Sequence, residues 1–263
     1  KERYESQKKL GLDVVLLTKK SLLELEPYIS DNFIGAVLIK GDHWVDNRLM
    51  ISALCKAIKK YNVDVYENCI VSSYIEKSNR VIGVESSLGS FYGDYVVNSA
   101  GSWAGDIRAN NPKVIPPVKP VLGQLLEIKS PDWLIKHNVC TYSTYLASKD
   151  KNKILVGSTM EDVGFNKRVS VSGVEFLTRN AIKLVPKISE CEFLSVWAGF
   201  RPTSPDRLPI LGTTLLDGLI IATGTYRNGI LLAPIIGTLI CEIIIKGREP
   251  ESILPFKIGR FYR

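Results

Sequence analysis

The chain has very little histidine and no regular cysteine pattern, and these two shortages exclude several kinds of site. Of its 263 residues only two are histidines, His43 and His137. Neither lies in a motif with a nucleophile or with other metal ligands, which argues against a zinc site and against a Ser–His or Cys–His catalytic arrangement. The five cysteines are an odd number at wide spacing, so a disulfide framework is not expected. We therefore expect no metal ion, and reduced, mostly buried thiols in a cytoplasmic protein.

The chain also lacks any concentrated charge of one sign. It has 34 lysines and arginines against 27 acidic residues, a formal net charge of +7. The densest basic runs, such as the one at 149–151, have no aromatic residues interleaved, so we expect no nucleic-acid partner. We expect the excess of basic residues to lie on solvated faces, where it gives some attraction for anionic ligands.

Long hydrophobic runs are scarce. The one membrane-like segment, 229–245, falls short of the roughly 20 apolar residues that a span needs. It also carries Pro234 and Glu242. We predict that this segment is a helix buried in a protein core and that the chain has no membrane span.

Hydrophobic periodicity and turn residues divide the chain into helices and strands. Helical spacing predicts an amphipathic helix over 47–61. The hydroxyls of Thr18 and Ser21 predict a further helix start, with Ser21 at capping-box spacing from Glu24. The capping-box pair Ser172 and Glu175 predicts another. Alternating or continuous apolar runs predict strands over 34–39, 63–66, 71–76, 81–86, 90–92, 95–99, 124–128, 141–147, 153–158, 194–200 and 219–223. A parallel-type βα element with an antiparallel middle indicates an α/β plus α+β fold.

One arginine ends an aromatic, apolar run near the carboxyl end of the chain. The run reads Trp-Ala-Gly-Phe-Arg-Pro over 197–202, so Arg201 lies at a strand end in surroundings that are expected to be dry. Because an unpaired buried charge is costly, the guanidinium needs an anion. Its planar fork matches a carboxylate through two parallel hydrogen bonds. That carboxylate belongs either to a ligand or to an acidic residue of the chain such as Asp206.

Two predicted strands run into turns that suit a ligand. The strand at 219–223 is followed by Gly-Thr-Tyr-Arg-Asn-Gly-Ile-Leu over 224–231, which predicts a sharp turn and a helix that begins after Asn228. Backbone N–H groups at a helix start favour an anion, although a helix start after a glycine turn is also common without any ligand. The strand at 95–99 runs into Ala-Gly-Ser-Trp, and small residues there let the backbone approach a ligand closely.

These segments resemble flavin-dependent amine oxidases of the D-amino-acid oxidase group, and glycine oxidases most of all. The resemblance implies that Arg201 and Tyr145 hold a substrate carboxylate and that Arg227 is a second active-site charge. It also implies that Met160, just after a hairpin strand that ends in Gly-Ser-Thr, borders the pocket, although a core position on the sheet is about as consistent with Met160. Because the flavin does the chemistry, the protein would mainly position the amine.

The same resemblance implies FAD as the cofactor. The helix start after Asn228 would stabilise the negative charge of a reduced flavin. Most of the residues that would line FAD follow strands, at turns or helix starts, and one begins a strand: Val71, Ala100, Gly101, Trp103, Gly224, Tyr226, Arg227, Asn228, Gly229, Ile230 and Leu231.

The resemblance further implies two interleaved domains. One is a three-layer Rossmann-like FAD-binding domain over 43–115 and 202–263, and the other is a substrate domain over 1–42 and 116–201, built on an antiparallel sheet with helices. Nothing near the amino end matches the G-x-G-x-x-G turn that holds a dinucleotide pyrophosphate. We therefore expect that the N-terminal part of the FAD-binding domain is absent from this chain.

The activity implied is oxidative deamination of glycine or another small amine by hydride transfer to the flavin. The partners would be a small amino acid and O2, with H2O2 as product, and glycine oxidases are linked to thiazole formation for thiamine. Alternatives within the group are a sarcosine oxidase, a D-amino-acid dehydrogenase or a cyanide-forming glycine dehydrogenase. A non-catalytic flavoprotein subunit that needs a separate dinucleotide-binding chain is the alternative from another class. A homo-oligomer is compatible with each of these hypotheses.

Overall fold

The computed structural model describes residues 2–131 and 134–262, and the chain divides into two compact units. The first unit comprises Lys1–Cys55, Gly123–Glu161 and Lys167–Gly199. The second comprises Lys56–Leu122, Asp162–Asn166 and Phe200–Arg263. Each unit therefore draws on three separate stretches of the chain.

The elements are mostly short. The α-helices are α1 Glu2–Lys9, α2 Lys19–Leu25, α3 Asn47–Lys60, α4 Val171–Leu184 and α5 Gly229–Lys246. The strands are β1 Val14–Thr18, β2 Gly35–Ile39, β3 Val71–Lys77, β4 Arg80–Ser86, β5 Gly89–Tyr92, β6 Val96–Asn98, β7 Lys119–Lys129, β8 Val139–Cys140, β9 Tyr145–Asp150, β10 Lys153–Gly157, β11 Glu192–Thr203, β12 Ile210–Thr213 and β13 Leu219–Thr223.

The first unit is organised around most of a five-stranded sheet with the order β11-β7-β10-β9-β8. Strands β7, β10, β9 and β8 pair antiparallel. Alternation along β10 places Ile154 and Val156 on one face, where they pack in a core with Leu177 and Ala181 of α4. Burying each of the larger side chains contributes roughly 1.5–3 kcal/mol. The predicted antiparallel sheet with helices is confirmed.

The second unit contains two three-stranded sheets, with the orders β12-β13-β6 and β3-β4-β5. Strand β13 pairs antiparallel with β12 and parallel with β6. Three of its five residues, Leu219, Ile220 and Ile221, are fully buried, as expected for a strand covered on both faces. The α/β plus α+β prediction is therefore confirmed.

Two strand predictions fail in this structure. Residues 63–66 form no strand, and the side chains of Val63 and Val65 are more than half exposed. None of the described strands pairs with residues 63–66, so their alternating pattern alone does not make a strand. The strand predicted over 141–147 begins only at Tyr145, because the N–H of Thr141 donates to the carbonyl of Thr144 at 2.7 Å and closes a turn.

Both predicted capping boxes are displaced. The α2 cap is Thr18, whose hydroxyl accepts from the N–H of Ser21 at 3.2 Å. The α4 cap is Ser170, whose hydroxyl accepts from the N–H of Gly173 at 3.1 Å. In each case the extended backbone of the residue before the helix turns its hydroxyl toward the first free N–H groups, while the predicted Ser21 and Ser172 lie inside the first turn.

The prediction of a buried carboxyl-terminal helix is wrong. The 18 residues of α5 have a mean hydropathy of 2.0 and are long and apolar enough to cross a membrane, although one such helix is weak evidence for a span. Only Ile240 and Ile243, 11% of the helix, are buried. The helix packs on β12 and β13 along one side, and an apolar sequence does not reveal which of its sides are covered.

The cysteine prediction is also partly wrong. All five cysteines are free thiols. However, Cys55, Cys140 and Cys241 are exposed and the other two are half-buried, so apolar neighbours in the sequence did not place them in a core.

Candidate functional site

Two parallel strands of the second unit end at the same edge of their sheet. Strand β6 leads into Gly101, with φ +59°, and β13 leads into Gly224, with φ +71°. The hydroxyl of Thr223 donates to the carbonyl of Gly101 at 2.9 Å and ties the two turns together. Ligands of open α/β sheets bind outside the carboxyl ends of the strands. The structure therefore brings the two predicted cofactor segments to one place.

The turn after β6 is fixed by a buried amide that the sequence did not single out. Asn98 is 3% exposed, and its side-chain N–H groups donate to the hydroxyl of Tyr74 at 2.7 Å and to the carbonyl of Ala104 at 3.0 Å. Its carbonyl oxygen accepts from the N–H of Ala100 at 3.1 Å. Burial raises the pKa of Tyr74 to about 12, so its hydroxyl stays neutral within this network. A lone Asn at a strand end carries no sequence signal for this role.

Helix α5 begins beside the Gly224 turn and leaves its first N–H groups without a side-chain cap. The capping residue Asn228 makes no side-chain hydrogen bond to the helix. Arg227, Asn228 and Ile230 are exposed, so a ligand can reach this helix end. Helix N-termini carry a partial positive charge, and an 18-residue helix presents it fully. A side chain added at Gly101 would meet no atom within 4 Å, so open space lies beside the neighbouring turn. These features fit an anionic cofactor such as a flavin dinucleotide.

Arg201 lies near the end of β11 and is partly buried. Its Nη1 lies 3.5 Å from the carbonyl oxygen of Leu122. The carboxylate of Asp206, the acidic residue named as a possible partner of Arg201, binds Arg260 through two hydrogen bonds of 2.7 and 3.0 Å. Hydrogen bonds from Arg260 lower the pKa of Asp206 to about 2. Asp206 therefore has a structural partner of its own.

The end of β11 is joined to the Gly224 turn. Thr203 and Thr225 form an antiparallel bridge, and the N–H of Tyr226 donates to the carbonyl of Pro202 at 2.8 Å. Tyr226 has φ +49°, a left-handed conformation that is uncommon for a residue with a side chain. Such outliers are found preferentially at functional sites. The structure thus places Arg201, Tyr226 and Arg227 on two adjoining segments.

An aromatic cluster adjoins this region. Trp103 stacks on Phe165 with ring centroids 5.4 Å apart, and both rings contact Phe200 edge to face at 5.9 and 5.6 Å. Trp103 was predicted to line the cofactor, whereas Phe165 and Phe200 were not among the predicted site residues. Phe165 lies in an irregular segment without periodicity, so the sequence offers no signal for it. The cluster links the turn after β6 to Phe165 and to Phe200 of β11.

Val71, predicted to meet the cofactor, follows neither of these two strands. It begins β3, on the sheet that does not contain β6 or β13. Its side chain packs against the core of the second unit. No contact in the described part of the chain places it at the carboxyl edge of β6 and β13.

Tyr145 and Met160 belong to the first unit. Tyr145 begins β9 and lies directly opposite Gly157 of β10. Met160 follows β10 by three residues and is 58% exposed, so a core role for it is wrong. The segment around Met160 is fixed by Thr159, whose hydroxyl accepts from the N–H of Gln124 at 2.9 Å. Tyr145 and Met160 therefore lie at the same end of the β9–β10 hairpin.

The amide of Gln124 extends this support to α4. Its Nε2 donates to Glu161 at 2.7 Å and to the hydroxyl of Ser170 at 3.0 Å, and its Oε1 accepts from the N–H of Ser170 at 2.9 Å. Gln124 is fully buried, and a side chain at Gly173 would lie within 2.4 Å of its amide. Strand β7, the segment after β10 and the start of α4 are therefore fixed together. Among the described residues no three His, Cys, Asp or Glu side chains form a group that could hold a metal ion.

The chain is similar to known flavoproteins over nearly its whole length. It is 34% identical over 247 residues to the hydrogen cyanide synthase subunit HcnC of Pseudomonas protegens, which covers 93% of this chain and 59% of that protein. It is 32% identical over 260 residues to a glycine oxidase of Geobacillus kaustophilus, which covers 98% of this chain and 68% of that protein. The chain thus spans less than two thirds of the length of the cyanide synthase subunit.

The fold agrees with this similarity. A crystal structure of glycine oxidase from Geobacillus kaustophilus matches with a TM-score of 0.91 at 31% identity, over 98% of this chain and 70% of that one. The sequence model of the FAD dependent oxidoreductase family matches residues 1–243. Since that model covers most of the chain, the chain belongs to the family of FAD dependent oxidoreductases.

Proposed function

We propose that the protein catalyses FAD-dependent oxidative deamination of glycine or another small amino acid, with O2 as acceptor and H2O2 as product. The observation that carries this proposal is the junction at the carboxyl edge of β6 and β13. There the two glycine turns, the uncapped start of α5 and the strand end that bears Arg201 are joined by hydrogen bonds. The similarity to glycine oxidases supports the choice of substrate.

The chain's own residues would hold the cofactor through backbone groups. The first N–H groups of α5, from Gly229 to Leu231, would donate to an anionic part of FAD. The turn at Gly101 and the ring of Trp103 would contact it from the neighbouring strand. FAD, when bound, supplies a two-electron acceptor for oxidation of a carbon–nitrogen bond.

The substrate would be held by its carboxylate. We propose that the guanidinium of Arg201 binds it through two parallel hydrogen bonds and that the hydroxyl of Tyr145 donates a third. Arg227, which is exposed beside the start of α5, would add a second positive charge. Met160 would limit the size of the substrate side chain. These residues would orient the amine and exclude water. In this way the protein would raise the rate of the reaction at the flavin.

A second candidate is a dehydrogenase that passes electrons to an acceptor other than O2. It is favoured by the 34% identity to a hydrogen cyanide synthase subunit. A third is a flavoprotein subunit that is active only with a separate chain carrying the dinucleotide-binding half. A cytoplasmic location, a homo-oligomer and a role in thiamine thiazole formation are further proposals that accompany the glycine oxidase assignment.

Steady-state turnover of the full-length gene product loaded with FAD distinguishes these candidates. Peroxide is measured in air with glycine, sarcosine, D-alanine and L-proline, and reduction of an artificial dye is measured without oxygen. Peroxide from glycine supports the oxidase. Turnover of glycine with the dye alone supports the dehydrogenase, and turnover that requires an added second chain supports the subunit. Failure to oxidise any of the four amines with either acceptor contradicts the proposal.

A further inference from the structure

Gly157 is the last residue of β10 and follows a run of larger apolar residues. Ile154, Leu155 and Val156 precede it in the strand. Its backbone φ lies outside the left-handed region, so φ alone does not call for a glycine at this position. The space around Gly157 is a separate reason why a side chain would not fit.

The explanation lies on the neighbouring strand. Gly157 is paired directly with Tyr145 in the antiparallel register of β9 and β10. A Cβ added at Gly157 would lie 2.2 Å from Cζ, 2.4 Å from Oη and 2.5 Å from Cε1 of Tyr145. The phenol ring therefore occupies the space that any side chain at this position would fill.

The conflict is at the polar end of the ring. Carbon atoms in contact lie about 3.5–4.0 Å apart, so a methyl group at Gly157 would displace Cζ and Oη by about 1 Å or more. Cζ and Oη are the two closest atoms, so a shift of the ring that relieves the clash also moves the hydroxyl. The position of the hydroxyl thus depends on the residue at 157.

We propose that Gly157 is a positioning residue that sets the place of the Tyr145 hydroxyl and thereby the affinity of the site for the substrate carboxylate. This inference rests on the proposed function, in which Tyr145 donates to that carboxylate. Gly157 itself touches no substrate. It acts only through the ring that lies over it.

A double-mutant cycle tests this proposal in the full-length gene product loaded with FAD. The four proteins are the wild type, Gly157→Ala, Tyr145→Ala and the double variant. The first readout is the Kd of acetate, a carboxylate without an amine, from the change it causes in the flavin absorption spectrum. The second is the KM and kcat for glycine, and the third is the thermal midpoint of unfolding. Gly41→Ala is the matched control, since its added Cβ meets no atom within 4 Å.

We expect Gly157→Ala to raise the Kd of acetate and the KM for glycine roughly ten- to a hundredfold, the effect of losing a hydrogen bond to a charged group. The change in kcat is expected to be smaller, and Gly41→Ala is expected to match the wild type. When Tyr145 is replaced by alanine, the methyl group added at Gly157 has no ring to displace. The double variant should therefore bind acetate no more weakly than Tyr145→Ala, and its thermal midpoint should recover any loss seen in Gly157→Ala alone.

The outcomes separate the two hypotheses. If Tyr145→Ala weakens acetate binding and Gly157→Ala leaves it within twofold of the wild type, the role of Gly157 is wrong and the proposed function stands. Additive effects of the two substitutions on Kd or on the thermal midpoint also contradict the role of Gly157. If Tyr145→Ala leaves acetate binding unchanged, the assignment of Tyr145 fails and the inference fails with it.

Discussion

Arg201 and Asp206 lie close together in the sequence, but Asp206 has an ion-pair partner of its own. Both were candidates for a single ion pair, but Asp206 is bound by Arg260, by the hydroxyl of Ser204 at 3.0 Å and by the N–H of Leu208 at 3.1 Å. Arg201, near the end of β11, is predicted to bind the substrate carboxylate. This assignment gives a direct test at the level of one side chain.

Replacing Arg201 by alanine in the FAD-loaded protein should raise the KM for glycine, with a loss of roughly 2–5 kcal/mol in binding, because a partly buried charge pair is broken. Lysine at this position should recover part of the loss, since it keeps the charge but not the planar fork. Steady-state kinetics measures both effects. Arg179→Ala is the control, because Arg179 forms an exposed pair with Glu175 on α4. An unchanged KM in Arg201→Ala rules out the carboxylate role.

The ion pair between Asp206 and Arg260 should make stability depend on pH. The pKa of Asp206 is lowered to about 2 in the folded protein, against an ordinary value of 3.8. A carboxyl group with a lowered pKa stabilises the fold above its unfolded pKa, and this contribution disappears as the pH falls through the folded pKa. Asp206→Asn should therefore be less stable than the wild type at pH 7, and the difference should shrink between about pH 5 and pH 2.

Urea unfolding of both proteins across this range measures the difference in the free energy of unfolding. Asp217→Asn serves for comparison, because the carboxylate of Asp217 pairs with Arg80 at a largely exposed site where salt bridges contribute little. If the difference in free energy of unfolding between wild type and Asp206→Asn stays constant from pH 7 to pH 2, the ionised carboxylate of Asp206 is not what stabilises the wild type.

At the scale of elements, helix starts are the clearest example of what sequence spacing can and cannot predict. The Ser/Glu spacing correctly indicated that helices begin near residues 19 and 171, but it chose hydroxyls within the first turn. Ser170 caps α4 and also contacts Gln124, so it links the helix to β7. That second contact lies 46 residues away in the chain and leaves no trace in the local pattern.

The corrected cap predicts opposite results for two neighbouring serines. Ser170→Ala should lower the free energy of unfolding by about 1–2 kcal/mol, because the N–H of Gly173 and the amide of Gln124 both lose a partner. Ser172→Ala should change it by less than about 0.5 kcal/mol, since Ser172 is exposed and only its contact with the hydroxyl of Ser170 is lost. Chemical denaturation measures both. A larger effect for Ser172→Ala would restore the capping box that the sequence predicted.

Strands could be predicted where a continuous apolar run marked a strand buried on both faces, or where turn residues marked a hairpin. The meander of β3, β4 and β5 and the apolar strands β6 and β13 lie where the sequence placed them. Residues 63–66 alternate equally well but form no strand, because pairing depends on a neighbour and not on the pattern alone. Helix α5 shows the same limit, since its apolar residues predicted burial and most of them are exposed.

For the whole molecule, the sequence predicted the fold class and the flavoprotein family, and the structure and its relatives confirm both. It also indicated two turns that the structure brings together, because glycines after apolar strands mark places where the backbone bends sharply. It could not predict Asn98 and Thr223, which fix those turns, or the contacts that Phe165 and Gln124 make elsewhere in the fold. Asn98, Thr223, Phe165 and Gln124 act through partners distant in the sequence. The domain ranges 1–42, 43–115, 116–201 and 202–263, and the roles of the site residues, remain predictions.

The central claim is that this chain forms part of an enzyme in which bound FAD oxidises a small amino acid held by Arg201. The most direct measurement is the visible absorption spectrum of the full-length protein, recorded without oxygen before and after addition of glycine. We predict a spectrum of oxidised flavin that bleaches with glycine and returns when air is admitted, and that Arg201→Ala requires far more glycine for the same bleaching. A bound flavin that stays oxidised with glycine, sarcosine, D-alanine and L-proline would contradict this account.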